Sequence, residues 1–301
     1  MSSTCGGGRC GSKPTQGGGA SPNQAQIHIA QQDAAIKISL GKIKHKILVM
    51  SGKGGVGKST VSTNLAVGLA NRGFQVGLMD VDLHGPDICR MLNLNQNLHD
   101  SHNGDGGLVP LMKYKDNLKV ISLEYMMEDR DEPIIWRGPL KIQAIRQFIA
   151  DMDWGELDYL IIDAPPGTGD EPLTIANTIP DSQAVVVTTP QEIALADVRK
   201  SLNFCKHVNM RVIGLVENMS GLVCPHCKKT VEVFKAGGGE KTAREFNVPF
   251  LGKVPMDPNV ALGGDSGSPY LTSDVESPAV QAFSVVIDNV EKIVGGQPLS
   301  A

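Results

Sequence analysis

The run Ser51-Gly52-Lys53-Gly54-Gly55-Val56-Gly57-Lys58-Ser59-Thr60 holds the residue types that grip a polyphosphate. Glycines let successive backbone N–H groups turn inward onto phosphate oxygens with no Cβ in the way. An ammonium at Lys58 reaches β- and γ-phosphates, and a hydroxyl at Ser59 ligates Mg²⁺. The spacing at Gly52, Gly57, Lys58 and Ser59 fits G-x-x-x-x-G-K-[ST], which predicts an ATP and Mg²⁺ site across Gly52 to Thr60. Lys53 is a second lysine inside the loop. From its own loop it reaches the same γ-phosphate poorly. It suits a nucleotide held by a second subunit, as a charge supplied in trans, with a solvated surface lysine as the plain alternative.

Carboxylates stand where such a site needs them. Asp163 ends the apolar run Tyr159-Leu160-Ile161-Ile162 and precedes Ala164-Pro165-Pro166-Gly167-Thr168-Gly169-Asp170. A hard carboxylate at that strand end is placed to hold Mg²⁺, and the glycines after it suit a switch segment. Asp80 and Asp82 close a second apolar run, and alternation aims both to one side. Asp82 is the candidate for positioning the attacking water, with Asp80 as metal support. Asn218 and Pro255 close two further strands, at the edge where open α/β sheets bind ligands. An amide there suits an adenine edge and a proline suits its ring, although turn roles serve equally well.

The elements that carry these residues alternate. Ile47 to Met50 reads as a strand leading into the glycine loop, and Val61, Leu65 and Leu69 recur at helical spacing after it. Further strands are expected at 75–79, 118–123, 159–163, 184–188, 212–216 and 251–254. Helices are expected after Gly138, around 195–208, and from Val280 to Val294. Near-continuous apolar strands separated by helices predict a mostly parallel sheet covered on both faces. Residues 1–22 are Gly/Ser-rich, carry Cys5 and Cys10, and have the composition of a disordered tail. Residues 23–301 are expected to form a single domain. The stretch before Lys46, with Ile36, Ile38 and Leu40 alternating, reads as a short strand or a wrap around the core.

With 301 residues, 41% of them hydrophobic, the chain has ample material for a large core. A net charge of −4 gives no general electrostatic case for binding nucleic acid or membrane. No apolar run approaches the roughly 20 residues of a membrane span, and the N-terminus lacks a signal-peptide pattern. A cytoplasmic location is the expectation, with the six cysteines mostly reduced.

Cys224-Pro225-His226-Cys227 is a C-x-x-C with three readings. A thioredoxin-like pair would open a helix, but the alternation from Lys228 to Phe234 predicts a strand. Half of a zinc site needs further ligands from Cys5 and Cys10, His226 or a second subunit. An iron–sulfur cluster needs four thiolates, which a symmetric dimer would supply as two pairs. Physics alone leaves zinc and cluster open. Cys89 and Cys205 fall in helical patterns and read as core.

The deviant glycine loop from Lys53 to Thr60 resembles that of the MinD/ParA/nitrogenase-iron-protein group, in which this extra lysine crosses an ATP-bound dimer interface. From about Ile43 to Ile293 the chain resembles the Mrp/ApbC family of ATP-dependent iron–sulfur carriers within that group. The resemblance rests on the loop and on Asp80-Val81-Asp82-Leu83-His84-Gly85-Pro86. It rests also on Ile135-Trp136-Arg137-Gly138-Pro139, Asp163 to Glu171, Glu217-Asn218-Met219-Ser220, and Cys224 with Cys227. It implies a homodimer that hydrolyses ATP, bridges a [4Fe-4S] cluster through both pairs of Cys224 and Cys227, and passes it from an assembly scaffold to apoproteins. Asn218 and Pro255 then gain an adenine role. Eukaryotic cytosolic members carry four N-terminal cysteines, and here only Cys5 and Cys10 stand in that region. The rival reading is a MinD/ParA-like positioning ATPase with a structural zinc site. It would need a basic amphipathic C-terminal helix or a basic patch, and the C-terminus offers neither.

Overall fold

The computed structural model describes residues 22–82, 85, 87–94, 108–123, 138–224, 226–227, 229–272 and 277–297. Cys5 and Cys10, Leu83-His84, Pro86, 135–137, the four C-terminal residues and the expected loop around Gly104 to Gly107 lie outside them. In chain order the elements are α1 (Pro22–Gly41), β1 (Ile43–Ser51), α2 (Lys58–Asn71), β2 (Val76–Asp80), α3 (Ile88–Met91), β3 (Met112–Lys115), β4 (Leu118–Ser122) and α4 (Gly138–Ala150). There follow β5 (Leu157–Asp163), α5 (Asp170–Thr178), β6 (Gln183–Thr188), α6 (Glu192–His207), β7 (Arg211–Glu217), β8 (Leu222–Val223), β9 (Thr230–Val231), α7 (Gly238–Glu245), β10 (Phe250–Lys253), α8 (Pro258–Asp265) and α9 (Pro278–Val294).

The main sheet runs β10-β7-β6-β1-β5-β2-β4-β3 and is parallel except where β3 meets β4. Its central strands β1, β2, β5 and β6 are buried on both faces, and alternation sorts their side chains. Ile47 and Val49 of β1 pack with α2 and α9, while Leu48 and Met50 pack with α1, α4, α5 and α6 on the opposite face. This two-sided demand explains why the strands read as unbroken apolar runs. Helix α9 starts where Ser277 caps it, its hydroxyl accepting from the Ala279 and Val280 N–H groups, with Pro278 at the first helical position. Its apolar stripe Phe283, Val286, Ile287, Val290 and Ile293 is buried against the sheet.

Two expectations need correction. The stretch before β1 is a 20-residue helix, not a strand, and it packs on the core through Ile36 and Leu40. The Ile36/Ile38/Leu40 alternation misleads because Ile38 is 64% exposed, whereas Ile36 and Leu40, one helical turn apart, are buried. Arg146 of α4 ties this helix down through Gln32 and Asp33. The alternation from Lys228 to Phe234 yields only the two residues of β9, because the segment has no sheet neighbour other than two-residue β8. Among the described residues no helix is long and apolar enough to cross a membrane.

Candidate nucleotide site and cysteine hairpin

Strand β1 stops at Ser51, and the chain turns through the glycine loop into α2. Gly55 and Gly57 adopt left-handed backbone (φ 76° and 78°), where a side chain is strained. At Gly52 an added Cβ would lie 2.3 Å from the Asp197 carbonyl carbon, so the loop presses against α6. Gly57 caps α2 without a side-chain hydrogen bond, which leaves first-turn N–H groups directed at the loop's interior. The result is a cavity of about 380 Å³ lined by Lys53, Gly54, Gly55, Gly57, Lys58, Ser59 and Thr60, with Asp82 and Pro166 across from them.

Register explains the carboxylates. Val49 of β1 pairs with Asp163 of β5, and Asp163 pairs with Asp80 of β2, so the two carboxylates end adjacent strands. Asp163 is fully buried and accepts from Lys58 Nζ at 2.7 Å, Ser59 Oγ at 2.7 Å and Ser62 Oγ at 2.5 Å. Burial alone would push the Lys58 ammonium down, but Asp163, with Asp82 and Asp80 behind it, holds it above its ordinary value. Asp82 lies 3.5 Å from Lys58 and lines the cavity. Asp80 faces the same side but stands behind the cavity, not in it. Its oxygens accept from the Asp82 N–H and the Ser122 hydroxyl, both at 3.0 Å. Burial first, and the Asp163 charge second, push its carboxyl well above the usual range. Ser59 Oγ and the Asp163 carboxylate converge as hard oxygen donors, a set that fits Mg²⁺. Ser62 and Ser122 were not singled out from sequence. Ser62 lies one helical turn after Lys58, a spacing that would have exposed it.

Lys53 lines the cavity half-exposed. Its carbonyl accepts from Ser51 Oγ, and among the described residues its ammonium makes no ion pair. The Val56 side chain is buried, and its carbonyl accepts from Asn218 Nδ2 at 2.9 Å. Asn218 therefore sits against the loop as a prop under it, and neither Asn218 nor Pro255 lines the cavity.

Past Asn218 the chain leaves β7 and forms the β8–β9 hairpin. The Cys224 N–H donates to Lys229 O at 3.0 Å, closing the turn that carries Cys227. Cys224 is half-buried, Cys227 is exposed, and neither is in a disulfide. The pair sits in a hairpin loop and not at a helix start, which removes the thioredoxin-like geometry. Among the described residues no three His, Cys, Asp or Glu side chains converge on a metal position. Cys89 and Cys205 are fully buried, and burial pushes the Cys205 thiol up to about 12.

The profile of the family described as "ParA: NUBPL iron-transfer P-loop NTPase" matches residues 42–291. An iron-sulfur cluster carrier protein of Methanocaldococcus jannaschii is 46% identical over 290 residues, 96% of this chain and 97% of that protein. The cytosolic Fe-S cluster assembly factor NUBP2 of Bos taurus is 46% identical over 256 residues, 84% of this chain and 94% of its own. Among solved structures, a nucleotide-binding protein of Archaeoglobus fulgidus in complex with ADP superposes with a TM-score of 0.67 at 37% identity, covering 78% of this chain and 91% of that one. The cell division ATPase MinD of Pyrococcus furiosus superposes with a TM-score of 0.62 at 25% identity, covering 83% and 99%.

Proposed function

The chain belongs to the NUBPL-type iron-transfer P-loop NTPases, and from that premise we propose that it is an ATP-hydrolysing carrier of a [4Fe-4S] cluster. The observation that carries the reading is the placing of both sites on one strand edge. Asn218 props the glycine loop, and six residues later Cys224 opens a two-thiol hairpin outside the core.

In this reading Gly52 to Thr60 cradle the phosphates, and Lys58 moves from Asp163 to the β/γ-phosphates. Ser59 and Asp163 hold Mg²⁺, which neutralises phosphate charge when bound. Asp82 orients the attacking water from the cavity wall, and Asp80, with its oxygens committed, fixes the Asp82 backbone. Lys53, whose ammonium makes no ion pair among the described residues, reaches the nucleotide of a second copy. Asn218 and Pro255 border the adenine. Cys224 and Cys227 of two copies supply four thiolates to the cluster, which is cargo passing from an assembly scaffold to client apoproteins. Residues 1–22 stay outside this site, and 23–301 act as one domain. We assign this work to the cytoplasm, a reading supported by relatives named cytosolic assembly factors. The positioning rival needs a basic amphipathic C-terminal helix or a basic patch, and the apolar stripe of α9 is spent on the sheet.

The test is anaerobic reconstitution followed by iron, sulfide and zinc analysis with mass measurement in solution. Four irons and four sulfides per dimer are expected. Zinc without sulfide, or a full cluster on a monomer, would refute the reading.

A further inference from the structure

Glu217 is the one fully buried glutamate among the described residues, and the nucleotide chemistry does not use it. It ends β7, between Thr188 of β6 and Lys253 of β10. Its Oε1 accepts from Ser220 Oγ at 2.5 Å and from the Gly237 N–H at 2.9 Å, and its Oε2 accepts from the Gly239 N–H at 2.6 Å. Those donors are far apart in sequence but special in position. Ser220 stands just before the cysteine hairpin. Gly237, with φ 84°, is the cap of α7, where the chain returns from that excursion. One carboxylate therefore fastens both ends of the segment that carries Cys224 and Cys227, and does so against the positive end of a helix. The fit is tight: a Cβ at Gly239 would lie 3.0 Å from Glu217 Cβ.

The next residue faces the other site. Asn218 donates to Val56 O in the glycine loop, and its Nδ2 would lie 2.2 Å from a Cβ at Gly57. Its own N–H is pinned to Thr188 O at 2.7 Å, so a shift of the side chain is passed to the strand end and not absorbed by slack. Ser220 N–H on Val254 O at 2.9 Å and Met256 N–H on Gly221 O at 2.7 Å hold the base of the hairpin to the strand end beside it. Met219, at φ 55°, is the strained joint between the two halves.

We propose that Glu217 is a positioning residue that couples the glycine loop to the cysteine hairpin, so that nucleotide at the loop changes the exposure of Cys224. The coupling rests on the nucleotide reading above. By linkage it is reciprocal for binding: whatever factor nucleotide changes in the affinity of the thiols for a bound group, that group changes in nucleotide affinity. Glu217→Gln keeps the shape but turns an N–H donor toward an N–H donor, releasing one end of the clamp.

The experiment measures alkylation of Cys224 and Cys227 by iodoacetamide, resolved by peptide mass, on cluster-free full-length protein with and without ADP and Mg²⁺. Nucleotide affinity is measured by calorimetry on the same samples. In the wild type, ADP is expected to change the Cys224 rate about threefold or more, with exposed Cys227 changing less. In Glu217→Gln that ratio is expected to fall to about one while ADP still binds. A purely structural role would raise the Cys224 rate equally with and without ADP and leave the ratio intact, which would overturn the proposal. A wild type that binds ADP with no change at Cys224 would overturn it too, with the nucleotide reading untouched. A wild type that binds no ADP overturns both. If Glu217→Gln fails to fold, Ser220→Ala decides: it removes a single donor and is expected to shrink the ratio, and an unchanged ratio refutes the coupling.

Discussion

Gly55 and Gly57 have nearly the same backbone angles, yet alanine at the two positions should behave differently. At φ 76° and 78° each substitution carries the cost of a left-handed L-residue, about 1–2 kcal/mol. At Gly55 nothing lies within 4 Å of the added Cβ, so that strain is the whole effect. At Gly57 the Cβ would lie 2.2 Å from Asn218 Nδ2, which must swing away and give up its 2.9 Å bond to Val56 O. A buried amide and carbonyl are then left without each other, which costs about 1–3 kcal/mol more. The loop can relax this strain when empty but must restore its shape to grip phosphate, so the difference falls on binding. In calorimetric titration with ADP and Mg²⁺, Gly55→Ala should weaken affinity roughly five- to thirtyfold, and Gly57→Ala roughly tenfold further. Asn218→Ala removes the obstacle. The double variant with Gly57→Ala should therefore recover about 1 kcal/mol relative to the sum of the singles. Equal losses at Gly55 and Gly57, or strict additivity with Asn218→Ala, would refute the loop-and-prop geometry.

Lys53→Ala should bind ADP within about twofold of the wild type yet lose ATP hydrolysis, and mixing it with Asp82→Ala should restore partial turnover through one intact composite site. Full hydrolysis by Lys53→Ala alone rules out the contact in trans. Cys224→Ala or Cys227→Ala should abolish retention of iron and sulfide while the melting temperature of the cluster-free protein moves by only a few degrees, because the hairpin lies outside both core clusters. A collapse of the fold would point instead to structural zinc. Asp158 is held below the ordinary aspartate range first by the Lys44 ammonium and then by the Gln75 N–H. Its stabilisation is present above the unfolded value and lost as pH falls through the lower folded one. Asp158→Asn should thus cost less than about 1 kcal/mol near pH 7, given an exposed lysine partner, and progressively less as pH falls through the lowered folded value. A cost that persists in acid would mean that the charge is not its source.

The strand–loop–helix unit was legible because three independent signals coincide over a few residues: apolar run, glycine spacing and helical period. Asp163 was legible for the same reason, since a buried strand advertises where its last residue falls. The role of Asp80 was less so. Sequence sees two aspartates two apart, whereas the structure separates them by what else each oxygen touches, Ser122 for one and Lys58 for the other. Helix α1 was misread because three apolar residues at even spacing satisfy a strand template, and only its docking on α4 shows that Ile38 is not among the buried set. Strand β3 and helices α7 and α8 went unseen for want of apolar periodicity; α8 has no buried residue at all. Glu217 stood in a quoted motif, but a glutamate's partners at Gly237 and Gly239 are about twenty residues away and leave no local trace.

Sheet order gives a reason for the arrangement that neither site supplies alone. The glycine loop leaves β1 at the centre, and the cysteine hairpin leaves β7, two strands away across β6. At strand spacing that is about 10 Å between strand ends, at the same edge of a parallel sheet. A parallel sheet sends the C-terminal end of each strand to one edge, so any loop inserted after β7 must emerge beside the phosphate cradle. The span is short enough for one side chain, Asn218, to bridge and for its neighbour, Glu217, to anchor. A loop placed after β4, toward the far end of the sheet, would have β5 and β2 between it and the glycine loop, and one after antiparallel β3 would leave at the opposite edge. Energetic coupling needs contacts whose arrangement differs between states. The hydrogen bonds of Asn218 and Glu217 are the short contiguous set that this topology places between loop and hairpin, and the proposed coupling runs through them.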